Sequence, residues 1–307
     1  MVKISAVINT RNEGSLLEDC LKSLKFCDEI VVVDMESDDN SREIAYKHTH
    51  NVFMHKPLDW VELARNFGIA KATGDWILII DPDETIPHSL CAKLIEIADE
   101  GKYDFVRIPR KNTVFGEWVK YSRWWPDYNV RFFKKGKVEW QDIIHSIPVT
   151  YGEGLTLDAK EDLSIGHLRY TTIDQYLAHM LRYTKIQADE LIKDGYQFNF
   201  ADILSRPIGE FLSRFFAGEG YKDGFHGLAI SLLQGFSFAI VYLRVWQEQG
   251  FKTQKGNSFY QTWLSTTGSK AREFTYWQFT MLMHLTDSKL KRFLYKLKRK
   301  ISTISLR

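Results

Sequence analysis

The chain is poor in cysteine and proline, and it has no large excess of charge of either sign. Its 307 residues include three Cys and seven Pro, and the formal net charge is +2. Cys20, Cys27 and Cys91 show neither a Cys-x-x-Cys pair nor the spacing of metal ligands, so they predict reduced thiols. The small net charge argues against a general nucleic-acid-binding protein, and we expect no nucleic-acid partner.

Two phosphate-binding motifs and a signal peptide are also missing. The first polar loop, Asn9–Glu13, reads NTRNE and contains neither the Gly-x-Gly-x-x-Gly of a dinucleotide fold nor a P-loop. A pyrophosphate bound there would need side chains and a metal ion rather than bare backbone. No apolar segment with a cleavage site precedes this loop, so together with the reduced thiols the sequence predicts a cytoplasmic protein.

The apolar residues follow two periods, which indicates alternating strands and helices. Hydrophobic residues make up 44% of the sequence, which is enough for a full core. The patterns predict strands at residues 4–8, 30–33, 51–55 and 76–80 and helices at 41–48, 60–72 and 90–98. A capping-box pattern at Ser15–Glu18 predicts a further helix that begins there. This alternation predicts an α/β fold with a doubly wound, largely parallel sheet.

From Thr171 the pattern is helical to the end of the chain. The predicted helices cover residues 171–194, 201–217 and 225–246. The third is as long as a membrane-spanning helix, but it contains His226 and Gln234 and ends at Arg244. We therefore expect a core or interface helix, and its apolar surface suggests a homo-oligomer.

The end of the chain concentrates positive charge. Residues 289–307 contain eight Lys and Arg and no acid. One face of a predicted helix at 289–301 is apolar, and it is formed by Leu290, Phe293, Leu294, Leu297 and Ile301. A basic amphipathic helix of this kind is typical of contact with an anionic membrane surface. We expect peripheral contact with the inner face of the cell membrane; the alternative is a solvated helix that packs on its own domain.

Acidic clusters follow two of the predicted strands. Asp81–Glu84 (DPDE) comes directly after residues 76–80, and Asp34–Asp39 (DMESDD) directly after residues 30–33. Parallel strands place their carboxyl ends at one edge, where open α/β sheets bind ligands. The first cluster can hold a divalent cation that bridges phosphates, and the second can accept hydrogen bonds from a ribose or base. The alternatives are an acidic turn and a capping cluster for the helix at 41–48.

Several motifs in a fixed order carry a resemblance to a known family. They are Asn9–Glu13, VVVDMESDD, Ala64–Asn66, GDWILIIDPDE, Trp124–Lys134, His145, His167–Tyr170, Tyr176–Ala188 and Phe215–Gly227. With these motifs the chain resembles glycosyltransferase family 2 over about residues 3–247, and within it the branch of lipopolysaccharide core β-glucosyltransferases. The resemblance implies a GT-A fold, a nucleotide-sugar donor, Mn²⁺ or Mg²⁺, and inversion at the anomeric carbon.

The resemblance also implies roles for individual residues. The implied metal ligands are Asp83, Asp81 and His167, and the implied donor contacts are Thr10, Arg11, Glu13, Asp34, Arg65 and Asp81. Arg131 is expected to contact a phosphate or the acceptor, with an ion pair on a strand as the alternative. We expect residues 1–168 to form the nucleotide-sugar-binding and catalytic domain, and residues 169–307 to form a helical region for acceptor, membrane or oligomer contacts.

The general base needs a separate argument, because relatives often carry His-Glu where this chain has His145-Ser146. A serine does not accept a proton at neutral pH, so three nearby acids remain. Asp142, three residues before His145, is the predicted base. The alternatives are Glu139, which precedes a tryptophan on a predicted strand, and Asp127, whose spacing from Arg131 suits an ion pair that would lower its basicity.

Together these features predict a metal-dependent inverting glycosyltransferase. The expected donor is a UDP-hexose, and the expected acceptor is a hydroxyl of a lipid-linked or lipopolysaccharide-type glycan; a protein or peptide acceptor is an alternative. A nucleotidyltransferase would need a basic glycine-rich loop, which residues 9–14 do not provide. A catalytically inactive sugar-binding or scaffold protein would have no need to keep Asp81 and Asp83.

Overall fold

A computed structural model describes residues 2–57, 61–141 and 148–304. Its contacts divide the chain into two units. The first contains Met1–Thr113 and Trp125–Arg169, and the second contains Val114–Trp124 and Tyr170–Arg307. The roles expected for residues 1–168 and 169–307 stay predictions.

The first unit begins with four parallel strands that are connected by helices. In chain order these are β1 (Ile4–Thr10), α1 (Gly14–Ser23), β2 (Glu29–Asp34), α2 (Ser41–His48), β3 (Val52–Met54), α3 (Val61–Lys71) and β4 (Trp76–Ile80). β2 and β4 each pair in parallel with β1, and β3 pairs in parallel with β2. The predicted alternation is therefore confirmed in this half of the sheet.

The rest of the first unit is largely antiparallel. The next elements in the chain are β5 (Glu84–Thr85), α4 (His88–Glu100), β6 (Phe105–Val114), β7 (Glu117–Trp118), β8 (Asp127–Lys134), β9 (Val138–Glu139), β10 (Val149–Thr150), β11 (Gly154–Thr156) and β12 (Ile165–Tyr170); of these, β7 belongs to the second unit. The main sheet runs in the order β3-β2-β1-β4-β8-β6-β12-β5. β8 is antiparallel to β4 and β6, and β12 is antiparallel to β5. The predicted α/β fold class is confirmed.

Helix α1 shows how the sequence reaches this packing. The apolar residues Leu17, Cys20, Leu21 and Leu24 recur at helical spacing, and all four are fully buried. The predicted capping box is wrong, since the helix begins at Gly14, whose N–H donates to Asp39 Oδ2 (3.0 Å). A Cβ at Gly14 would lie 2.1 Å from Asn40 Oδ1, so a larger residue here would displace the Asn40 side chain.

Register brings the three acidic or polar strand ends together. Thr10 pairs with Asp34 at the ends of β1 and β2, and Ile8 pairs with Ile80, the last residue of β4. The side chains that follow these strands therefore lie at one edge, beyond the carboxyl ends of the parallel strands. This edge is the place where the sequence predicts ligand binding.

The second unit is helical, as predicted. Its helices are α5 (Ile173–Lys193), α6 (Phe200–Leu212), α7 (Gly224–Glu248), α8 (Asn257–Leu285) and α9 (Lys289–Ile304). Tyr176 and Met180 of α5 pack with Ile230 of α7 in one core cluster, and Ala188 packs with Val241 and Val245 in another. The α/β unit and these C-terminal helices each have a core of their own.

One helical segment in the described part of the chain, Gly220–Glu248, is long and apolar enough to cross a membrane. Length and composition alone are weak evidence, because core helices of soluble proteins pass the same test. Its most apolar window has a mean hydropathy of 1.7, and a third of that window is buried. α7 therefore contributes to the core of its unit and also exposes apolar side chains, among them Leu232 and Phe236.

Candidate active site

Two predicted donor contacts, Thr10 and Asp34, lie side by side at the sheet edge. Asp34 is fully buried, and its Oδ2 accepts hydrogen bonds from Arg42 Nε (3.0 Å) and Nη2 (2.9 Å). Thr10 is also buried, and in the described part of the chain no hydrogen-bond partner reaches its hydroxyl. A buried hydroxyl without a partner is costly, so this atom fits a site that a polar ligand completes.

Asp81 is held by two guanidinium groups. Arg65 Nη2 donates to Asp81 Oδ1 (2.9 Å), and Arg131 Nη2 donates to Asp81 Oδ2 (2.5 Å). Burial alone would raise the pKa of Asp81, but Arg131 and Arg65 hold it well below its usual range. Both carboxylate oxygens are thus occupied, and Asp81 orients the two arginines at the edge.

The same arginines continue into a buried network. Arg131 Nη2 also donates to Glu84 Oε1 (2.8 Å), which accepts from Arg110 Nη1 as well (3.2 Å). Arg110 Nη2 lies 2.7 Å from Asp127 Oδ2. The expected pair of Asp127 with Arg131 is wrong, because Arg110 faces Asp127 across β6 and β8 and Arg131 turns toward Asp81 and Glu84.

Asp127 is a poor proton acceptor in this arrangement. Burial raises the pKa of Asp127, but Arg110 and the amide of Asn112 outweigh burial and lower it below its usual value. A carboxylate stabilised in its charged form binds protons weakly. The structure thus adds a reason against Asp127 as the general base.

Asp83 and His167 are brought together by strand pairing. β5 and β12 are antiparallel, with His167 opposite Glu84, and Leu168 N–H donates to the carbonyl of Asp83 (2.9 Å). This register places His167 Nε2 3.2 Å from Asp83 Oδ2. His167 is buried, whereas a quarter of the Asp83 side chain is exposed, so Asp83 is the member of the pair that reaches the surface.

Asn112 fixes the tautomer of His167. Its Oδ1 lies 2.6 Å from His167 Nδ1, and its Nδ2 donates to Asp127 Oδ2 (3.2 Å). A carboxylate accepts only, so the amide nitrogen of Asn112 must face Asp127 and the amide oxygen must face His167. Nδ1 of His167 therefore carries the proton, and the lone pair of Nε2 points toward Asp83.

This geometry bears on the predicted metal site. His167 Nε2 and Asp83 Oδ2 lie 3.2 Å apart, which is close enough for both to ligate the same metal ion. The described segments contain no group of three or more His, Cys, Asp and Glu that could hold a metal by itself. The residues present fit an ion that is bound partly by the protein and partly by a ligand such as a diphosphate.

Glu13 has a carboxyl group whose pKa is shifted into the physiological range. Its N–H donates to Ser41 Oγ (3.0 Å), and its side chain is half-buried. Burial, followed by the charges of Asp83, Asp39 and Asp81, raises the pKa of Glu13 to about 7. An acid with such a pKa near a predicted donor site is typical of functional positions.

This pKa gives a testable dependence of stability on pH. The unfolded chain loses the Glu13 proton near pH 4.5 and the folded chain near pH 7, so the contribution of this group to the free energy of unfolding should fall between these values. Glu13→Gln should therefore raise Tm relative to wild type at pH 8 but not at pH 4. Thermal unfolding from pH 4 to 8 measures this, with exposed Glu43→Gln as control. Parallel pH curves for wild type and Glu13→Gln would contradict it.

The remaining predicted residues are not part of this cluster or cannot be placed. Arg11 is exposed. Glu139 is exposed on β9, whose partner strand is β10. Asp142 and His145 lie outside the described residues. The sites expected for these four residues stay predictions.

Sequence reasoning missed Arg42, Arg110 and Asn112 as parts of the site. The sequence of β6 could have pointed to Arg110 and Asn112, because Val106, Ile108 and Val114 of this strand alternate at buried positions. Arg110 and Asn112 continue the same alternation. Polar residues at buried strand positions require partners, and here the partners are Asp127, Glu84 and His167.

Comparison with known proteins agrees with the resemblance found in the motifs. Residues 5–151 match the model of a family described as Glycosyl transferase family 2. An uncharacterized glycosyltransferase from Rickettsia typhi is 28% identical over 249 residues, which cover 78% of this chain and 84% of that protein. The lipopolysaccharide core biosynthesis glycosyltransferase LpsC from Rhizobium meliloti is 24% identical over 82% of this chain and 94% of its own length.

Solved structures give a more limited likeness. Glucosyl-3-phosphoglycerate synthase from Mycobacterium tuberculosis is 22% identical, both in its complex with Mg²⁺ and UDP and in its complex with Mn²⁺ and UDP-glucose. The TM-scores are 0.32 and 0.31. The matched region covers 36% of this chain and 44% of the synthase, so this chain spans less than half of that protein.

Proposed function

We propose that this chain, which has a glycosyl transferase family 2 domain at residues 5–151, is an inverting glycosyltransferase that moves a hexose from a UDP-sugar to a glycan hydroxyl. The observation that carries the proposal is the pair of Asp83 and His167, set at the same sheet edge as Thr10 and Asp34. Strand ends that combine a cation-binding pair with base-binding groups suit a nucleoside diphosphate.

Different residues at this edge would contact different parts of the donor. Thr10 and Asp34 would contact the nucleoside half, with Arg11 and Glu13 from the following loop. Arg65 and Arg131, both oriented by Asp81, would face the diphosphate and the sugar; a guanidinium group is well suited to such anions. Asp83 and His167 would hold Mn²⁺ or Mg²⁺. A bound ion would neutralise charge that develops on the diphosphate leaving group.

A donor-binding experiment tests this proposal directly. Tm should rise with UDP-glucose or another UDP-hexose in the presence of Mn²⁺, because a ligand that binds only the folded state stabilises it. A panel of UDP-, GDP- and ADP-sugars identifies the donor, and release of free UDP over hours reports slow hydrolysis. Neither stabilisation nor nucleotide release with any donor would overturn the enzymatic proposal and favour a scaffold protein.

The proposed acceptor is a lipid-linked or lipopolysaccharide-type glycan at the cytoplasmic face of the membrane. The relative LpsC, which matches this chain over 94% of its own length, is a lipopolysaccharide core biosynthesis glycosyltransferase, and this supports the choice. Helix α9 supports it independently, because its apolar face is exposed and its other faces carry Lys and Arg without any acid. A protein acceptor offers no comparable reason for this helix.

We also propose that Asn112 positions His167 for the metal ion through its contact with Nδ1. Asn112→Ala removes the acceptor for Nδ1–H, so His167 can rotate or change tautomer. The loss of such an orienting partner typically weakens metal binding about 10–100-fold. Titration calorimetry with Mn²⁺ and UDP measures the change, with exposed Asn51→Ala as control. Unchanged Mn²⁺ affinity in Asn112→Ala would show that the hydrogen bond does not position His167.

The proposed general base is Asp142. Asp142→Asn should lower kcat by about 10²–10⁴-fold while the Kd of the donor is unchanged, since a base acts on the acceptor hydroxyl. Glu139→Gln is the matched comparison, because it neutralises an exposed acid three residues away. Full activity in Asp142→Asn with loss in Glu139→Gln would move the role to Glu139.

A further inference from the structure

An apolar groove lies within the second unit, between helices α6, α7 and α8. Its volume is about 810 Å³. Small residues form part of its lining, namely Gly235, Ala239 and Ala271, and aromatic rings form another part, namely Phe211, Phe236 and Phe274. Nothing in the proposed transfer reaction uses this groove.

The close approach of two helices gives the groove its floor. A Cβ added to Gly235 of α7 would lie 3.0 Å from the carbonyl oxygen of Pro207 in α6. The side chains of Leu232 and Phe236, one turn and one residue away, are half exposed. The small residue therefore opens a recess that larger apolar neighbours border.

The chemistry of the lining selects an apolar ligand. Lys270 supplies an ammonium group to the lining, and its Nζ donates a hydrogen bond to Glu273 Oε2 (2.6 Å). The remaining lining is aliphatic or aromatic apart from two threonines. A sugar or nucleotide would lose its water contacts here without replacement, whereas a hydrocarbon chain would not. The volume lies within the range of ligand pockets, about 300–1,000 Å³.

The neighbouring helix adds charge complementarity. α9 packs on the part of α8 that follows the groove, with Tyr295 stacked on Phe279 and Arg299 over Tyr276. Tyr276 comes directly after Thr275, which lines the groove. α9 presents exposed Lys291, Arg292 and Lys296 and no acid. An amphiphile with a negative headgroup and a hydrocarbon chain satisfies both features.

We propose that the groove binds one acyl chain of an anionic membrane phospholipid, whose phosphate is attracted by α9. Exposed apolar residues of α9, such as Leu290 and Phe293, would enter the membrane surface next to it. This inference concerns membrane attachment and does not require that the protein transfers sugars.

The probe is phosphatidylglycerol with a photoactivatable diazirine on its acyl chain, in vesicles of phosphatidylcholine. Irradiation with the full-length protein, followed by peptide mass spectrometry, locates the labelled residues. We expect label on α6, α7 and α8 at the groove, including Leu232 or Phe236. Ala271→Phe places a ring in the groove and should reduce this label at least tenfold. Ser265→Phe adds the same ring to exposed α8 surface outside the lining and should leave it unchanged.

The vesicle-binding arm separates the groove from simple adsorption. Both phenylalanine variants keep α9, so both should still sediment with phosphatidylglycerol vesicles. Label confined to α9, or equal groove label in Ala271→Phe and Ser265→Phe, would overturn the proposal. A loss of groove label that grows with protein concentration and does not depend on the lipid would also overturn it, since a second copy of the chain would then cover the groove. Transfer or nucleotide release is measured separately, so failure of the glycosyltransferase proposal leaves the labelling result intact.

Discussion

Replacement of Asp83 by alanine should abolish sugar transfer and leave the fold intact. The Asp83 carboxylate faces His167 Nε2 at 3.2 Å and is partly exposed, so its loss leaves no buried charge without a partner. Without this ligand the leaving diphosphate loses electrostatic stabilisation worth several kcal/mol, or about 10³-fold or more in kcat. Nucleotide release at saturating Mn²⁺ and a parallel Tm measurement test both parts.

Asp99→Ala is the matched control, because Asp99 is an exposed acid on α4. It should retain wild-type activity and Tm. A His167→Ala variant should behave like Asp83→Ala in Mn²⁺ titrations, since the two side chains act as a pair. Near-wild-type turnover of Asp83→Ala at saturating Mn²⁺ would remove Asp83 from the metal site.

Replacement of Arg131 by methionine should strongly destabilise the first unit. Arg131 is buried and donates to both Asp81 and Glu84, and Glu84 is fully buried. Removal of one partner from a buried ion pair leaves an uncompensated charge and typically costs about 3–5 kcal/mol. Urea unfolding followed by tryptophan fluorescence measures the lost free energy of unfolding.

The control for this effect is Arg107→Met on β6, where the arginine is exposed. Arg131→Lys keeps the charge but not the forked geometry, so it should fall between wild type and Arg131→Met. If Arg131→Met does not fold, Arg131→Lys still reports the loss. Equal free energies of unfolding for all three variants and wild type would show that the network adds no stability.

The parallel half of the fold could be predicted from the sequence because the patterns that specify it lie in short neighbouring segments. The apolar runs of the two central strands, Ile4–Ile8 and Trp76–Ile80, are buried, and the polar loop that follows each one lies at the carboxyl end of the strand. Periodicity and turn residues in neighbouring segments suffice for such an inference. The same patterns placed Asp34 and Asp81 at one edge, as register requires.

The partners of these side chains could not be predicted from local pattern. Asp127 and Arg131 have the spacing of neighbours on one strand face, yet Arg110 from β6 binds Asp127 and Arg131 binds Asp81 and Glu84. Asn112 contacts His167 because β6 and β12 are neighbouring strands in the sheet. Such pairings depend on strand order, which a single sequence does not specify.

The two-residue strand β5 has a consequence for how the first unit assembles. It joins β12 through pairs between residues more than eighty positions apart, whereas β1 and β2 pair segments much closer in the chain. Contacts of high sequence separation carry a larger loop-closure cost and form after local ones. During synthesis from the N-terminus, the parallel strands can therefore associate before residue 167 has been made, and the pair of Asp83 and His167 forms after them. A nascent chain would therefore form the edge proposed for the nucleoside before the pair proposed for the metal ion.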